Sequence, residues 1–311
     1  MPSSFRLLTH ARAGRPVGAV AIDGVAYDLA ALRPATPTVL SVLEDWDAAR
    51  ADLRALAASP ARRAAFTGAA VDALDYLPPV LYPNAIYCAG ANYKDHMDEM
   101  ARAFNLPPAP DPHDTGTPPW CFIKTARNSL AGHGAVIKLP AYSKTVDWEL
   151  EVALVMGRTC KDVGIAEAMQ YVAGYSIAND LSARDFLRRP TVKPNSGSPF
   201  EYDWVSHKSW DGSCPLGPWI VPREDIPDPN NMGLKLWVND TLMQDSSTSQ
   251  IIFSDAELVS FLSQRLTLYP GDVIITGTPA GVGTPRGIFL KPGDTVRIEI
   301  EGIGTLVNRM A

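Results

Sequence analysis

Residues 146–156 read Val-Asp-Trp-Glu-Leu-Glu-Val-Ala-Leu-Val-Met, and the fold is inferred first from this run. Side chains two positions apart point to the same face of a β-strand. Glu149 and Glu151 therefore share one face of the predicted strand. The other face carries the apolar side chains of Trp148, Leu150, Val152 and Leu154. Because the run continues apolar on both faces, the strand is predicted to be internal to a sheet.

The two glutamates indicate either a metal site or an exposed strand face. Neighbouring carboxylates near a core repel each other and lose hydration, and a divalent cation relieves both penalties. The same spacing is also typical of an amphipathic strand whose glutamates face water. A third carboxylate favours the metal site, because the strand-like run 171–178 ends at Asn179-Asp180, and functional side chains often lie where regular elements end. Glu149, Glu151 and Asp180 are therefore the predicted ligands, with positions left open for water and substrate.

The ligand type also predicts the metal. Carboxylate oxygens select hard cations, which favours Mg²⁺ or Mn²⁺ as the cofactor. Ca²⁺ has the same preference and is an ion that a crystal could contain at such a site.

Strand-like runs also dominate the rest of the chain from residue 86 onward. They lie at 86–89, 120–123, 149–156, 171–178, 234–238, 272–276, 295–300 and 305–307. One clear helix is predicted over 255–265, where Ser254 and Glu257 have the spacing of a capping box. Because helices do not alternate regularly with the strands, a doubly wound sheet is disfavoured. The predicted class is α+β, mainly β with few helices.

The N-terminal part is predicted to be a small α+β domain of residues 1–80, followed by a catalytic domain of residues 81–311. Its strands are predicted at 5–8, 17–22 and 25–28. Asp23-Gly24 is the tight turn between the last two, and helical spacing follows over 38–65. This part shows no group of residues that indicates chemistry.

Composition excludes several classes of partner. The chain has 311 residues, 46% of them hydrophobic and 20% charged, which is typical of a globular protein. Its net charge is -6 and no basic block stands out, so nucleic acid is not an expected partner. The N-terminus does not resemble a signal peptide, and no apolar run is long enough to span a bilayer, so no membrane partner is expected. Four widely spaced cysteines without a CxxC pair indicate the reducing cytoplasm.

Several blocks resemble the fumarylacetoacetate hydrolase family and stand in the family's order. They are NYKDH at 92–96, ELE at 149–151, YVAGY at 171–175, NDLSARD at 179–185, KSWDGSCP at 208–215 and TGTPAGVG at 276–283. The resemblance covers about residues 85–310. It is closest to acylpyruvate hydrolases, oxaloacetate decarboxylases and 2-hydroxyhepta-2,4-diene-1,7-dioate isomerase-like ring-cleavage enzymes. It implies Glu149, Glu151 and Asp180 as metal ligands, a mixed β-roll core, a homodimer and a small N-terminal extension.

His96 and Glu99 are predicted to form a catalytic dyad. If the segment is helical, residues three apart share a face. A carboxylate beside an imidazole orients the ring and raises its basicity, so that the pair can activate water. The alternative is an ordinary surface pair on a helix. The resemblance favours the dyad and implies that this segment is a lid that orders when ligand binds.

The remaining candidate residues take their roles from the resemblance. Lys208 is predicted to hold a ketone or enolate oxygen near the metal, and Lys124 is a second candidate for substrate contact. Gly277 and Thr278 lie in a glycine-rich loop after a strand and are predicted to hold the substrate carboxylate. Gln244 matches a family position near the metal and is also predicted to bind substrate.

Two further features of the sequence are the pair Arg184 and Asp185 and a long proline-rich loop. Arg184 and Asp185 match the family as well and fit a structural role equally. The stretch over 106–119 is rich in proline and is predicted to cover the active site. The whole loop over 101–119 is longer than in compact family members.

The predicted function is metal-dependent hydrolysis of a C–C bond in an acylpyruvate, such as fumarylpyruvate or a diketo-deoxy sugar acid. The products would be pyruvate and a carboxylic acid. One alternative uses the same enolate without water, as a decarboxylase of oxaloacetate-like acids or an isomerase of 2-hydroxy-diene acids. A third hypothesis, from a different class, is a protein that binds a small 2-keto acid without turning it over.

Overall fold

The structure is a computed structural model that describes residues 4–311, and it has the predicted α+β fold class. Its strands are β1 (Arg6–Arg12), β2 (Arg15–Ile22), β3 (Val25–Asp28), β4 (Gly68–Ala70), β5 (Asp75–Leu77), β6 (Ile86–Gly90), β7 (Trp120–Lys124), β8 (Leu130–Ala131), β9 (Val136–Ile137), β10 (Val146–Asp147), β11 (Leu150–Met156), β12 (Val172–Asn179), β13 (Ser182–Ala183), β14 (Cys214–Pro222), β15 (Gly233–Val238), β16 (Thr241–Ser247), β17 (Val273–Ile275), β18 (Thr295–Ile300) and β19 (Gly304–Met310). Its α-helices are α1 (Leu29–Leu32), α2 (Val39–Glu44), α3 (Trp46–Ala57), α4 (Pro60–Arg63), α5 (Lys94–Ala103), α6 (Pro112–Thr115), α7 (Ile165–Ala168), α8 (Trp204–Lys208) and α9 (Asp255–Ser263).

The strands form one large sheet and two smaller ones. The large sheet has the order β4-β3-β2-β1-β14-β12-β11-β17-β6-β7, with β5 beside β1 and β8 beside β14. A five-stranded sheet has the order β16-β15-β18-β19-β9, and β10 pairs with β13. Strand β11 is internal, as predicted, because it pairs antiparallel with both β12 and β17.

The two faces of β11 belong to two different hydrophobic clusters. One cluster contains the even-numbered side chains Leu150, Val152, Leu154 and Met156. The other contains Ala153 and Val155, which confirms the predicted alternation. Burial of one large apolar side chain contributes about 1.5–3 kcal/mol. The strand is therefore held firmly on both sides, and Glu151 is carried by one of the most rigid parts of the fold.

The N-terminal part joins the rest of the chain through the large sheet. Strand β1 pairs with β14 at Leu7 and Ile220. The tight turn is confirmed, since Asp23 and Gly24 both have positive φ. Helices α2 and α3 cover this side with Val39, Val42, Leu43, Trp46 and Leu53, in the same cluster as Ala153 and Val155. The boundary at residue 80 stays a prediction about folding units.

Two long strands, β14 and β16, were not predicted from the sequence, and neither were several strands of two or three residues. Strand β14 lies between β12 and β1 in the large sheet although it contains Pro215, Gly217 and Pro218, which normally mark a loop. The ladder between β12 and β14 has a register shift, and such an irregularity accommodates residues that cannot donate to a ladder. Strand β16 lies at the edge of the five-stranded sheet, and its largely polar sequence does not indicate a strand.

The predicted strand over 149–156 is wrong at its start. The chain forms β10 first, leaves the ladder at Trp148 and Glu149, and then enters β11. The backbone N–H of Glu149 donates to Oδ1 of Asn179 at 3.1 Å, so a side chain replaces the ladder partner at this point. The break places Glu149 at the end of the sheet, where its carboxylate faces other side chains.

The predicted helix over 255–265 is present as α9, and its capping box between Ser254 and Glu257 is confirmed. The segment with His96 and Glu99 is helical, as α5. Within residues 4–311, no helix is long and apolar enough to cross a membrane.

Candidate metal centre and active site

Three buried carboxylates meet where β11 and β12 leave the large sheet. Glu149, Glu151 and Asp180 each offer a ligand oxygen, and these oxygens lie within 4.8 Å of one another. Glu149 and Glu151 flank the first residue of β11, and Asp180 directly follows β12. The backbone N–H of Asp180 donates to the carbonyl of Glu149 at 2.9 Å, which ties the two strand ends together. The structure thus brings the three predicted ligands into one place.

Two buried ammonium groups compensate part of this negative charge. Lys208 Nζ lies between two of the acids, 2.8 Å from Glu149 Oε2 and 2.5 Å from Asp180 Oδ2. Lys124 Nζ donates to Asp180 Oδ1 at 2.6 Å and to the carbonyl of Leu181 at 3.1 Å. Both lysines that the sequence singled out are therefore part of the acidic cluster.

The acids differ in how well their charge is compensated. Burial alone would raise the pKa of Glu149, but Lys208 and Arg184 outweigh burial and hold that pKa at about 2. Burial, together with repulsion from Asp180 and Glu149, raises the pKa of Glu151 well above its usual value. Glu151 is consequently the acid whose charge most needs a further cation.

The donor set fits Mg²⁺ or Mn²⁺. It consists only of carboxylate oxygens, these can converge on one point, and repulsion from Asp180 and Glu149 at Glu151 is not fully compensated by Lys208. The residues that would hold the ion are Glu149, Glu151 and Asp180.

The glycine-rich loop after β17 contacts the site through backbone amides rather than side chains. The N–H of Gly277 donates to Glu151 Oε2 at 2.6 Å, and the N–H of Gly281 donates to Glu99 Oε2 at 2.8 Å. Gly277 has a φ of +97°, and a Cβ there would lie 2.8 Å from the Cβ of Asn92, so only glycine fits without strain. The loop joins the acidic centre to the lid residue Glu99.

The residues of this region that are predicted to contact substrate form hydrogen bonds within the protein. Gln244 Oε1 accepts from the N–H of Leu150 at 3.0 Å. Its Nε2 donates to Thr278 Oγ1 at 2.9 Å and to the carbonyl of Pro279 at 2.8 Å. Gln244 thus positions the glycine-rich loop against the start of β11. Substrate binding by Gln244, Thr278 and Gly277 remains a prediction, and it would require some of these bonds to be exchanged.

Helix α5 carries His96 and Glu99 toward the acidic centre, but the two side chains do not bond to each other. His96 Nδ1 is buried and has no hydrogen-bond partner within residues 4–311. Burial lowers the pKa of His96, against the opposing field of Glu149. Glu99 instead binds the amide of Gly281, and its Oε1 lies 3.9 Å from Arg286. The residues are neighbours as predicted, whereas the orienting contact between them is absent from this arrangement.

The predicted loop over 101–119 is interrupted by helices, because α5 continues to Ala103 and α6 occupies Pro112–Thr115. His113 of α6 anchors this segment to the rest of the chain. His113 Nδ1 lies 3.0 Å from Asp111 Oδ1, and Nε2 lies 2.9 Å from Glu257 Oε1 at the start of α9. The ring also packs against Phe253 at 4.8 Å between centroids. The segment and helix α5 line a cavity of about 490 Å³, on the side of α5 that carries Lys94, Met97 and Asp98. The segment therefore lies against α5, the predicted lid, on this side.

Two further residues belong to the acidic centre: Asp147, which the sequence does not predict, and Arg184, whose role the sequence leaves open. Asp147 is fully buried and accepts hydrogen bonds from the amides of Gly283 and Thr284, at 2.6 and 3.0 Å. Arg184 bridges Asp147 and Glu149, with contacts of 3.0 and 2.5 Å. The signal was available, because Asp147, Glu149 and Glu151 continue one alternation along the chain.

The chain is similar to characterised proteins over most of its length. A sequence profile described as fumarylacetoacetate (FAA) hydrolase, C-terminal, matches residues 85–311. The mitochondrial oxaloacetate tautomerase FAHD2B of Bos taurus is 38% identical over 293 residues, which cover 92% of this chain and 84% of that relative.

Solved structures share the fold as well. Maleylpyruvate hydrolase from Sphingobium sp. SYK-6, in complex with manganese(II) ion and pyruvate, is 26% identical with a TM-score of 0.75, covering 98% of each chain. 2-Hydroxyhepta-2,4-diene-1,7-dioate isomerase from Mycobacterium marinum is 30% identical with a TM-score of 0.68, covering 99% of this chain and 98% of that one. The chain therefore belongs to the fumarylacetoacetate hydrolase family of enzymes.

Proposed function

We propose that this enzyme hydrolyses the C–C bond between the acyl group and the pyruvate unit of an acylpyruvate, with Mg²⁺ or Mn²⁺ as cofactor. The observation that carries the proposal is the grouping of three buried carboxylates with two ammonium groups and a histidine whose Nδ1 has no partner among the described residues. The manganese ion and pyruvate named for the maleylpyruvate hydrolase structure support both the cofactor and the product.

When bound by Glu149, Glu151 and Asp180, the metal would act as a Lewis acid toward the carboxylate and 2-oxo oxygens of the substrate. The side chains around it would bind and orient the pyruvate end. Lys208 is buried beside two of these acids, so its ammonium is placed to hold the enolate oxygen that develops during cleavage.

His96 is the proposed general base. Its lowered pKa keeps the imidazole neutral at neutral pH, so it can take a proton from water. The resulting hydroxide adds to the distal carbonyl, the C–C bond breaks, and its electron pair passes to C3 of pyruvate as the enolate. The proton then returns to C3, and the products are pyruvate and the carboxylic acid released from the acyl group.

A substrate panel tests the proposal. The protein with Mg²⁺ or Mn²⁺ would be incubated with fumarylpyruvate, acetylpyruvate and oxaloacetate while pyruvate and CO₂ are measured. The proposal predicts pyruvate without CO₂ from the acylpyruvates, and loss of the reaction with a chelator. Binding without turnover of any substrate would instead support a 2-keto acid binding protein.

Glu99→Gln tests the dyad separately. The variant is expected to retain the metal and to lose turnover, since Glu99 belongs to the lid and not to the acidic centre. In the bound state, Glu99 would have to leave the Gly281 amide to reach His96. Full hydrolytic activity of the variant would show that His96 works without Glu99.

The second candidate function is keto–enol tautomerisation of oxaloacetate. Two observations favour it: the similarity to a protein named oxaloacetate tautomerase, and the absence of a contact between His96 and Glu99. Tautomerisation needs a proton carrier beside an enolate, but no activated water. Faster decay of the enol absorbance of oxaloacetate, without pyruvate from acylpyruvates, would favour this function. Decarboxylation would add CO₂, and isomerisation of a 2-hydroxy-diene acid would change the substrate spectrum without cleavage.

Assembly into a homodimer, which the family resemblance implies, is also part of the proposal. Edge strand β7 and the adjoining helix α8 expose large apolar side chains, among them Trp120, Ile123 and Val205. Such surface favours burial against a second copy. Sedimentation equilibrium should give twice the mass of the chain, and a monomer at micromolar concentration would contradict this part.

A cytoplasmic location is proposed from the cysteines. Cys88, Cys121, Cys160 and Cys214 are all free thiols, which fits a reducing compartment. The name of the bovine relative places that protein in mitochondria. Cell fractionation would distinguish the two locations.

A further inference from the structure

We propose that Arg286 selects substrates by a second carboxylate at the far end of the acyl chain. This inference rests on the proposed function and narrows its substrate class to extended acylpyruvates that end in a carboxylate. It arises from the position of Arg286 at the end of the glycine-rich loop and from the bonds that its guanidinium leaves unused.

Arg286 is only loosely held. It ends the 3₁₀ turn Thr284–Arg286, and its side chain is 40% exposed. Among the described residues, its one ion pair is with Glu99 Oε1 at 3.9 Å, which is too long for a hydrogen bond. A guanidinium has five N–H donors in a fork that matches a carboxylate, so Arg286 retains nearly its whole capacity for one.

The other cations around the acidic centre are already engaged. Lys124 and Lys208 contact the predicted metal ligands at 2.5–2.8 Å. Arg184 is bound by Asp147 and Glu149. These three cations compensate buried acids at the pyruvate end of the proposed substrate, so none of them is a free cation for a second carboxylate. Arg286 has no buried acid to compensate.

The residues form a sequence that leads outward from the acidic centre. His96 lies within the electrostatic influence of Glu149 and Arg184. Glu99 follows three residues later on α5, about 4.5 Å farther along the helix axis. Arg286 Nη2 lies 3.9 Å from Glu99 Oε1. A substrate whose pyruvate end is at the metal and whose acyl chain follows the lid helix would therefore end at Arg286.

Substrate length decides whether this contact forms. The second carboxylate of oxaloacetate is only two carbons from its 2-oxo group and would stay near the acidic centre. The terminal carboxylate of a fumarylpyruvate-like chain is several carbons farther out and would reach the guanidinium. A chain that ends in a methyl group has no terminal carboxylate for Arg286 to bind.

The test compares two 2-oxo acids of equal length that cannot be cleaved because they lack a 4-oxo group. Binding of 2-oxoheptanedioate and 2-oxoheptanoate to the Mg²⁺-loaded protein would be measured by calorimetry. Arg286→Gln is expected to weaken 2-oxoheptanedioate roughly 10- to 100-fold, the range for a lost charged hydrogen bond, and to leave 2-oxoheptanoate unchanged. Arg286→Lys should recover part of the loss. Arg309→Gln, a change at an exposed arginine of β19, is the charge-matched control and should alter neither Kd.

Two results would overturn the inference. Equal weakening of both acids would show that Arg286 acts through Glu99 and the lid, and an unchanged Kd for 2-oxoheptanedioate would show that it does not contact the chain end. Because neither acid is hydrolysed, this outcome is independent of the pyruvate measurements that test the proposed function.

Discussion

The acidic centre and the lid helix both carry residues of the proposed chemistry, yet they are held in opposite ways. Every residue of β11 is buried, and the acids beside it are fixed by neighbouring strands and by lysines. No residue of α5 is fully buried, and its position depends on a few polar contacts. Ser246 Oγ, for example, donates to Asp95 Oδ2 at 2.6 Å near the start of the helix. The centre is thus packed on all sides, whereas helix α5, the predicted lid, is held by fewer contacts.

The largest effect is expected for the lid. His96→Asn removes the proposed base but none of the packing of β11, so kcat should fall about 10²- to 10⁴-fold, the usual contribution of a general base. Affinity for Mn²⁺ and the free energy of unfolding should stay close to those of the wild type. Steady-state kinetics and a manganese titration check both halves of this prediction. A large loss of metal affinity would mean that lid and centre are not separate in function.

In the centre, Lys208→Met should chiefly reduce stability. The change leaves Glu149 and Asp180 short of a buried cation, which costs about 3–5 kcal/mol when one partner of a buried pair is removed. The lower end of this range is expected, because Arg184 and Lys124 remain. Urea unfolding of metal-free protein measures the loss, and added Mg²⁺ should restore more stability to the variant than to the wild type.

Lys291→Met provides the matched control for this prediction. Lys291 is exposed, so its replacement should change the free energy of unfolding by less than about 0.5 kcal/mol. If Lys208→Met is equally harmless, the ammonium does not compensate the acids.

Asp147→Asn should have a smaller effect and sharpen the same comparison. Asp147 binds Arg184 and the amides of Gly283 and Thr284. Because Arg184 also binds Glu149, the charge of Asp147 helps to orient Glu149. Changes to residues that orient metal ligands typically weaken metal affinity about 10- to 100-fold. Calorimetric titration with Mn²⁺ checks the value, and wild-type affinity would show that Glu149 is oriented without this support.

The smallest effect on stability is expected for His113, which anchors the segment between α5 and β7. Glu257 and Asp111 raise the pKa of His113 in the folded protein. A raised pKa stabilises the fold below the unfolded-state pKa of about 6.5, and this stabilisation is lost as pH rises through the folded pKa. His113→Phe keeps the ring beside Phe253, so its Tm should fall below that of the wild type near pH 5.5 and approach it near pH 8.5. The same difference at both pH values would exclude a charged contact.

The same contrast explains how much the sequence could predict. Glu149, Glu151 and Asp180 follow from alternation and strand ends, because local geometry dictates which side chains share a face. The partner of Glu99 could not be predicted, because Gly281 is distant in the sequence and contacts Glu99 through its backbone. Strand β14 could not be predicted because its prolines are typical of a loop, and they are accommodated by a register shift in its ladder with β12. Features set by local pattern were predictable, and contacts set by tertiary packing were not.

A Mn²⁺ titration of wild-type protein and Glu151→Gln, followed by calorimetry in buffers of different ionisation enthalpy, tests the central claim most directly. The wild type should bind one ion per chain and release protons, because burial raises the pKa of Glu151 and a ligand must be deprotonated. Glu151→Gln should stay folded and lose this binding. Undiminished binding of Mn²⁺ by the folded variant would contradict a metal centre formed by Glu149, Glu151 and Asp180.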